Sequence, residues 1–188
     1  MSTSARRVQA RLTLPVGNRD HSMGPEDAPV TLVEYGDYEC PYCGAAYLIL
    51  NQVFEVMGDN LRFVFRHFPL TQIHPYAETA AEAAVSAGGQ NRFWKMHHLL
   101  YSNQQSLDPW HLSRFAEELG LDTVRFVREL ENQAHHDRVR EDFLSGVRSG
   151  VNGTPTFFIN GFRYDGSWDF EPLVQALESA AGDAAATR

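Results

Sequence analysis

The sequence predicts an α/β protein in which a βαβ unit and a later ββα unit build one mixed sheet, with an all-helical block inserted between them. Three observations carry this. Apolar residues after Pro29 recur first with strand character, then at helical spacing, then with period two again. Five amphipathic helical segments follow, between about residues 75 and 150. Beyond them, Asn160-Gly161 separates two short β-rich runs, which is a strong hairpin signal.

Each element has its own warrant. Residues 1–29 read as a tail with turn chemistry at Gly24-Pro25 and Ala28-Pro29. Val30 to Tyr35 is β-branched and bounded by Pro29 and Gly36, so it reads as a buried strand. From Pro41 to Met57, Tyr47, Leu50, Phe54 and Met57 recur at helical steps, and Gly58 stops the run. Leu61 to Arg66 reads as a second strand, so a 17-residue helical crossover joins two parallel strands with right-handed connection. The insertion comprises helices over Pro75–Ala87, around Phe93 to Leu100, after Asp108-Pro109, after Asp122, and around Val139 to Val147. Asp108 and Asp122 suit N-caps. Thr156 to Ile159 and Phe162 to Tyr164 form the hairpin, and a last helix follows Asp169 to about Ala180. A four-stranded sheet in a single domain over residues 30–188 accounts for the whole order.

Composition narrows the function. The 188 residues are 43% hydrophobic, 21% charged and 12% aromatic, as in an ordinary globular chain. Sixteen basic against 24 acidic side chains give a net charge of −8, which argues against nucleic acid as a partner. No apolar run approaches the ~20 residues of a membrane-spanning helix. Met1 to Arg19 lacks the apolar core of an export signal. The expectation is a cytoplasmic protein, with organelle targeting by Arg6, Arg7, Arg11 and Arg19 as the alternative, and a monomer.

The chemistry concentrates at Cys40-Pro41-Tyr42-Cys43, where the first strand hands over to the first helix. Pro41 suits the first helical position, which makes Cys40 the N-cap and Cys43 the third helical residue. Residues three apart share a face, close enough for a disulfide after modest tightening. Cys40 projects from the helix end, where free N–H groups and the dipole stabilise an anion; Cys43 is expected to be shielded and less acidic. That asymmetry suits thiol–disulfide exchange. The competing readings are weaker. A bridge at this spacing closes too small a loop to be a useful staple. Zinc needs four ligands, and the chain has only two cysteines. The pairs His97-His98 and His135-His136 fall on amphipathic helices, so no metal is expected.

Two further positions matter. Pro155 opens the third strand, as an edge device or a cis turn. Glu34 lies within an apolar strand, and two readings stand open: a sheet-edge carboxylate facing water, or a desolvated acid of raised pKa beneath the site.

With Cys-Pro-Tyr-Cys after the first strand, a helical block after the second, and Gly-Thr-Pro-Thr before the third, the chain resembles the DsbA-like branch of the thioredoxin superfamily from about Val30 to Ala180. The resemblance implies a thioredoxin-like fold and a thiol–disulfide oxidoreductase acting on protein or peptide thiols. It implies a cis bond before Pro155, which packs that loop beside Cys40, and pairing of the Thr154 backbone with an extended substrate. It also implies that Glu34 matches the buried acid that assists proton transfer at Cys43. No cofactor is expected beyond the Cys40–Cys43 pair, with glutathione or a thioredoxin-type protein as electron partner. Strongly oxidising relatives have histidine between the cysteines. Tyr42 stands there in this chain, and Glu39 beside it opposes an anion, so a milder oxidant is expected. A non-catalytic chaperone module on the same fold, or a glutathione-dependent transferase or isomerase, are the alternatives. The intact cysteine pair weighs against both.

Overall fold

In a computed structural model, which describes residues 10–186, five strands and seven α-helices form one α/β domain. In chain order they are β1 (His21–Met23), β2 (Val30–Gly36), α1 (Pro41–Met57), β3 (Leu61–His67), α2 (Ala77–Gly88), α3 (Phe93–Ser102), α4 (Pro109–Glu118), α5 (Thr123–Glu131), α6 (His136–Arg148), β4 (Thr156–Ile159), β5 (Phe162–Tyr164) and α7 (Phe170–Ala186). The sheet order is β1-β3-β2-β4-β5, with β2 and β3 parallel and every other pair antiparallel. The expected βαβ and ββα units and the helical insertion are present.

Local chemistry explains the boundaries. Asp108 accepts from the Trp110 and His111 N–H groups, and Asp122 from that of Arg125, so both cap the helices that follow them. Along α1 the buried stripe is Cys43, Ala46, Leu50, Val53 and Met57. It is turned one step from the expected stripe, and Tyr47 and Phe54 flank it half-buried. That turn brings Cys43 into the core. The last helix runs to Ala186 rather than to about Ala180, its alanine-rich end continuing through Gly182.

Period-two alternation divides β2 between two cores. Val30 and Leu32 join the larger cluster beneath the helices, while Val33 and Tyr35 join a smaller one with Val64, Phe68, Val151 and Phe158.

The four-strand expectation is corrected by β1, which pairs antiparallel with β3. It comes from the segment expected to be a tail. From residue 10 onward that segment is part of the fold; residues 1–9, including Arg6 and Arg7, lie outside the described residues. Its N-terminal side bonds to the β5 edge, through Leu12 N–H to the Gly161 carbonyl and Arg163 N–H to that of Ala10. Leu12 and Val16 then pack on the smaller core. Buried Arg66 holds the rest by donating to the Leu14 and Pro15 carbonyls and to Asp20. Three residues of strand and a polar anchor leave no hydrophobic period to read. Among the described residues, no helix is long and apolar enough to cross a membrane.

Candidate active site

Cys40 is the N-cap of α1, in extended conformation, with Pro41 at the start of the helix. The Gly44 N–H closes the first helical turn onto the Cys40 carbonyl. Both cysteines are free thiols. Cys43 is fully buried, as expected. Cys40 is only 4% exposed, which corrects the picture of a sulfur standing out in solvent. The loop before β4 covers it: Cys40 Sγ donates to the Thr154 carbonyl at 3.4 Å, and the Thr154–Pro155 peptide is cis. Tyr42 points away, 67% exposed.

The two sulfurs differ in acidity as their surroundings dictate. The Cys40 thiol is lowered to about 5, chiefly because Cys43 hydrogen-bonds to it. Burial opposes this, while the Thr154 side chain and the backbone N–H groups of Cys43 and Tyr42 support the anion. Tyr42 therefore contributes through its peptide and not its ring. The Cys43 thiol is pushed well above its ordinary value by burial first, then by its bond to Cys40 and the charge of Glu34.

Glu34 lies on an internal strand, in register with Phe65 of β3 and Phe157 of β4, and is 1% exposed. This removes the sheet-edge alternative. It shares the helix-facing side of β2 with Leu32, and its Oε1 atom has no hydrogen-bond partner. Burial, followed by the Cys40 charge, raises its carboxyl to about 8.

Three supporting residues escaped the sequence reading. Asp37 is buried and accepts from Glu39 N–H, Leu70 N–H and the His74 ring, tying the strand that ends before the site to the loop after β3. Gln104, from the α3–α4 connection, donates to the Tyr38 and Cys40 carbonyls at 2.8 and 2.9 Å. Tyr38 is buried, its hydroxyl 3.0 Å from His97 Nδ1. An Asp three residues before an N-cap cysteine was the legible clue to the first; the others come from the insertion or depend on it. Glu39 accepts from the Tyr76 N–H at the start of α2.

The histidine pairs are absorbed by packing and local partners. His98 meets the Tyr47 hydroxyl, His135 meets Glu129 and His136 meets Glu78. No group of three or more His, Cys, Asp or Glu side chains able to hold a metal occurs among the described residues.

A mixed sheet that presents a Cys-X-X-Cys pair at a helix N-terminus, against a loop with a cis proline, defines the thioredoxin-like class of proteins. A family model described as Thioredoxin matches residues 17–179, and the chain belongs to that family. Its fold is that of the DsbA-like members. The oxidised BdbD of Bacillus subtilis aligns with a TM-score of 0.81 at 22% identity, covering 93% of this chain and 99% of that one. A thioredoxin-like oxidoreductase of Silicibacter pomeroyi aligns at 0.78 and 26% identity, covering 88% and 94%. The α-DsbA1 of Wolbachia pipientis aligns at 0.79 and 20% identity, covering 94% and 97%. Among curated proteins, a Na(+)/H(+) antiporter NhaA 1 of Salinispora arenicola is 50% identical over 172 residues, 90% of this chain and 26% of that protein. The chain spans about a quarter of the length of such curated relatives.

Proposed function

We propose that the protein is a dithiol–disulfide oxidoreductase acting on protein or peptide thiols, with Cys40 as nucleophile and Cys43 as the resolving thiol. The observation that carries this is the unequal pair: an acidic sulfur at the mouth of α1 bonded to a buried, weakly acidic neighbour.

In the reductive direction the Cys40 thiolate attacks one sulfur of a substrate disulfide. A Cys40–substrate disulfide forms, and the other substrate sulfur leaves as a thiolate and takes a proton from water. Cys43 then loses its proton and attacks the Cys40 sulfur. The Cys40–Cys43 disulfide forms, and the second substrate thiolate leaves and is protonated. The protein gives up two electrons and the one proton of Cys43, the other proton coming from water; the oxidative direction is the reverse. Glu34 is the proton acceptor for Cys43. Once Cys40 is tied up in the mixed disulfide its charge is gone, so one cause of the high Glu34 pKa is removed when a base is needed. The Thr154 backbone pairs with an extended substrate, and Pro155 shapes the groove beside it.

A Cys40 pKa of about 5 lies within the roughly 3.5–7 span of low-pKa Cys-X-X-Cys thiols, which supports an oxidant milder than the strongest. In reducing surroundings, glutathione or a thioredoxin-type protein returns the electrons and the pair rests as a dithiol. Equilibration with glutathione tests the direction: a potential near −120 mV marks an oxidant and one near −270 mV a reductase. Insulin reduction tests the activity. Turnover that survives Cys40→Ser would remove the proposal.

The antiporter relatives favour a second reading, in which the substrate thiols belong to a membrane ion transporter. A Cys43→Ser variant accumulates mixed disulfides with its substrates. Recovery of a sodium–proton antiporter supports this reading, and recovery of unrelated proteins alone rejects it.

A further inference from the structure

A tyrosine from the helical insertion reaches the sheet face that carries Glu34. Glu34 and Gly36 lie two apart on β2 and therefore face the same side of the sheet. The Tyr101 hydroxyl of α3 stands over Gly36, 2.9 Å from the position a Cβ would occupy there. The Phe65 ring would lie closer still, at 2.5 Å, so glycine leaves room for both. Tyr101 is 6% exposed, and its hydroxyl has no hydrogen-bond partner. Glu34 Oε1 is orphaned in the same way. Two such atoms at one site call for an explanation, since buried polar groups are nearly always paired.

The neighbours narrow it. Cys43 of α1, Glu34 of β2, and Tyr38 and Asp37 of the connecting loop all interact electrostatically with the Tyr101 hydroxyl. Tyr47 of α1 stacks against its ring, and His97 of α3 meets it edge-to-face. Asp37 is already satisfied by two N–H groups and His74, the Tyr38 hydroxyl by His97, and the Tyr47 hydroxyl by His98. Glu34 and Cys43 are what remains for Tyr101 to serve.

Building on the thiol-exchange reading, we infer that Tyr101 is a positioning residue for the resolving step: its hydroxyl donates to the anion formed when the Cys43 proton leaves. It serves whichever group holds the charge, the Cys43 sulfur or the Glu34 carboxylate. The proton count of the step is unchanged.

The test is a single turnover of excess dithiol protein with Ellman's disulfide, which releases one coloured thiolate on Cys40 attack and a second on Cys43 resolution. Tyr101→Phe keeps the ring contacts and removes only the oxygen. Its first phase is expected to match the parent and so reports an intact fold and an intact Cys40. Its second phase is expected to slow about tenfold at pH 7, with its pH midpoint raised by about one unit, as for loss of one hydrogen bond to a charge. An unchanged second-phase midpoint in Tyr101→Phe overturns the inference. Glu34→Gln, run in parallel, separates the causes: if it shifts the midpoint where Tyr101→Phe does not, Tyr101 alone is dismissed. A second equivalent released from Cys43→Ser would instead sink the exchange reading on which the inference stands.

Discussion

Asp20 and Arg66 form a two-pronged ion pair, Oδ1 to Nε at 2.9 Å and Oδ2 to Nη2 at 3.1 Å, in which neither side chain is exposed. Arg66 also donates to the Tyr35 hydroxyl at 3.0 Å. One guanidinium therefore fastens the N-terminal segment to the central strands. Burial alone would raise the Asp20 carboxyl, but Arg66, the Gly17 N–H and Arg19 together outweigh it and hold the group below its ordinary value. Asp20→Ala leaves the guanidinium buried and unpaired, and is expected to cost about 3–5 kcal/mol in urea unfolding. A loss below about 1 kcal/mol would mean the segment is not held this way. Because the folded pKa is depressed, the pair's stabilisation is complete above the unfolded value near ~4 and fades as pH falls through the folded one.

The acidity of Cys40 depends first on Cys43. Alkylation of Cys40 in the reduced protein should follow a titration centred near pH 5, rather than the ~8.5 of a free thiol. Cys43→Ala removes the leading donor while keeping the helix N-terminus, so the midpoint should climb by one to two units, roughly. A midpoint that does not move would assign the acidity to the backbone N–H groups alone.

Glu34 makes stability depend on pH in the opposite sense to Asp20. Its folded pKa, about 8, exceeds the unfolded value, so the folded state is favoured below the unfolded pKa and loses that advantage as pH rises toward 8. Glu34→Gln cannot ionise. The difference in unfolding free energy between variant and parent should grow in the variant's favour by about 3 kcal/mol from pH 4 to pH 7. Taking the difference across pH cancels the constant cost of burying an amide. A flat difference would mean that Glu34 ionises at its ordinary pH.

What was legible followed hydrophobic period and turn chemistry. Residues 41–57 showed the helix, and Asn160-Gly161 the hairpin, because those signals are local. Cys40 and Cys43 could be found by spacing and ranked in acidity because a helix N-terminus is an electrostatic fact that needs no tertiary context. Glu34 was ambiguous because burial depends on which strands flank β2, and that is settled by Phe65 and Phe157, more than 30 residues away on either partner. Asp20, Arg66, Gln104 and Tyr101 were invisible for the same reason. Each is a polar side chain whose meaning lies in a partner distant along the chain.

Gly44 gives that point an experimental form. A Cβ there would stand 2.1 Å from Gln104 Oε1 and 2.8 Å from its Cδ, so an alanine forces the Gln104 amide to retreat. Gln104 is not free to do so without releasing the Tyr38 and Cys40 carbonyls, the latter belonging to the N-cap cysteine itself. Alanine otherwise favours a helix interior over glycine by about 1 kcal/mol. Gly44→Ala alone should therefore be destabilising by about 1–2 kcal/mol, as those two bonds are lost. In a Gln104→Ala background the obstruction is gone, and the same substitution should become neutral or stabilising. Chemical denaturation of the four proteins of this cycle reads the coupling directly. The Cys40 alkylation midpoint, measured in parallel, should move in Gly44→Ala only if the clasp also sets the geometry of the thiolate. Additive effects of the two substitutions would show that Gln104 has other room to occupy and does not clamp the cysteine.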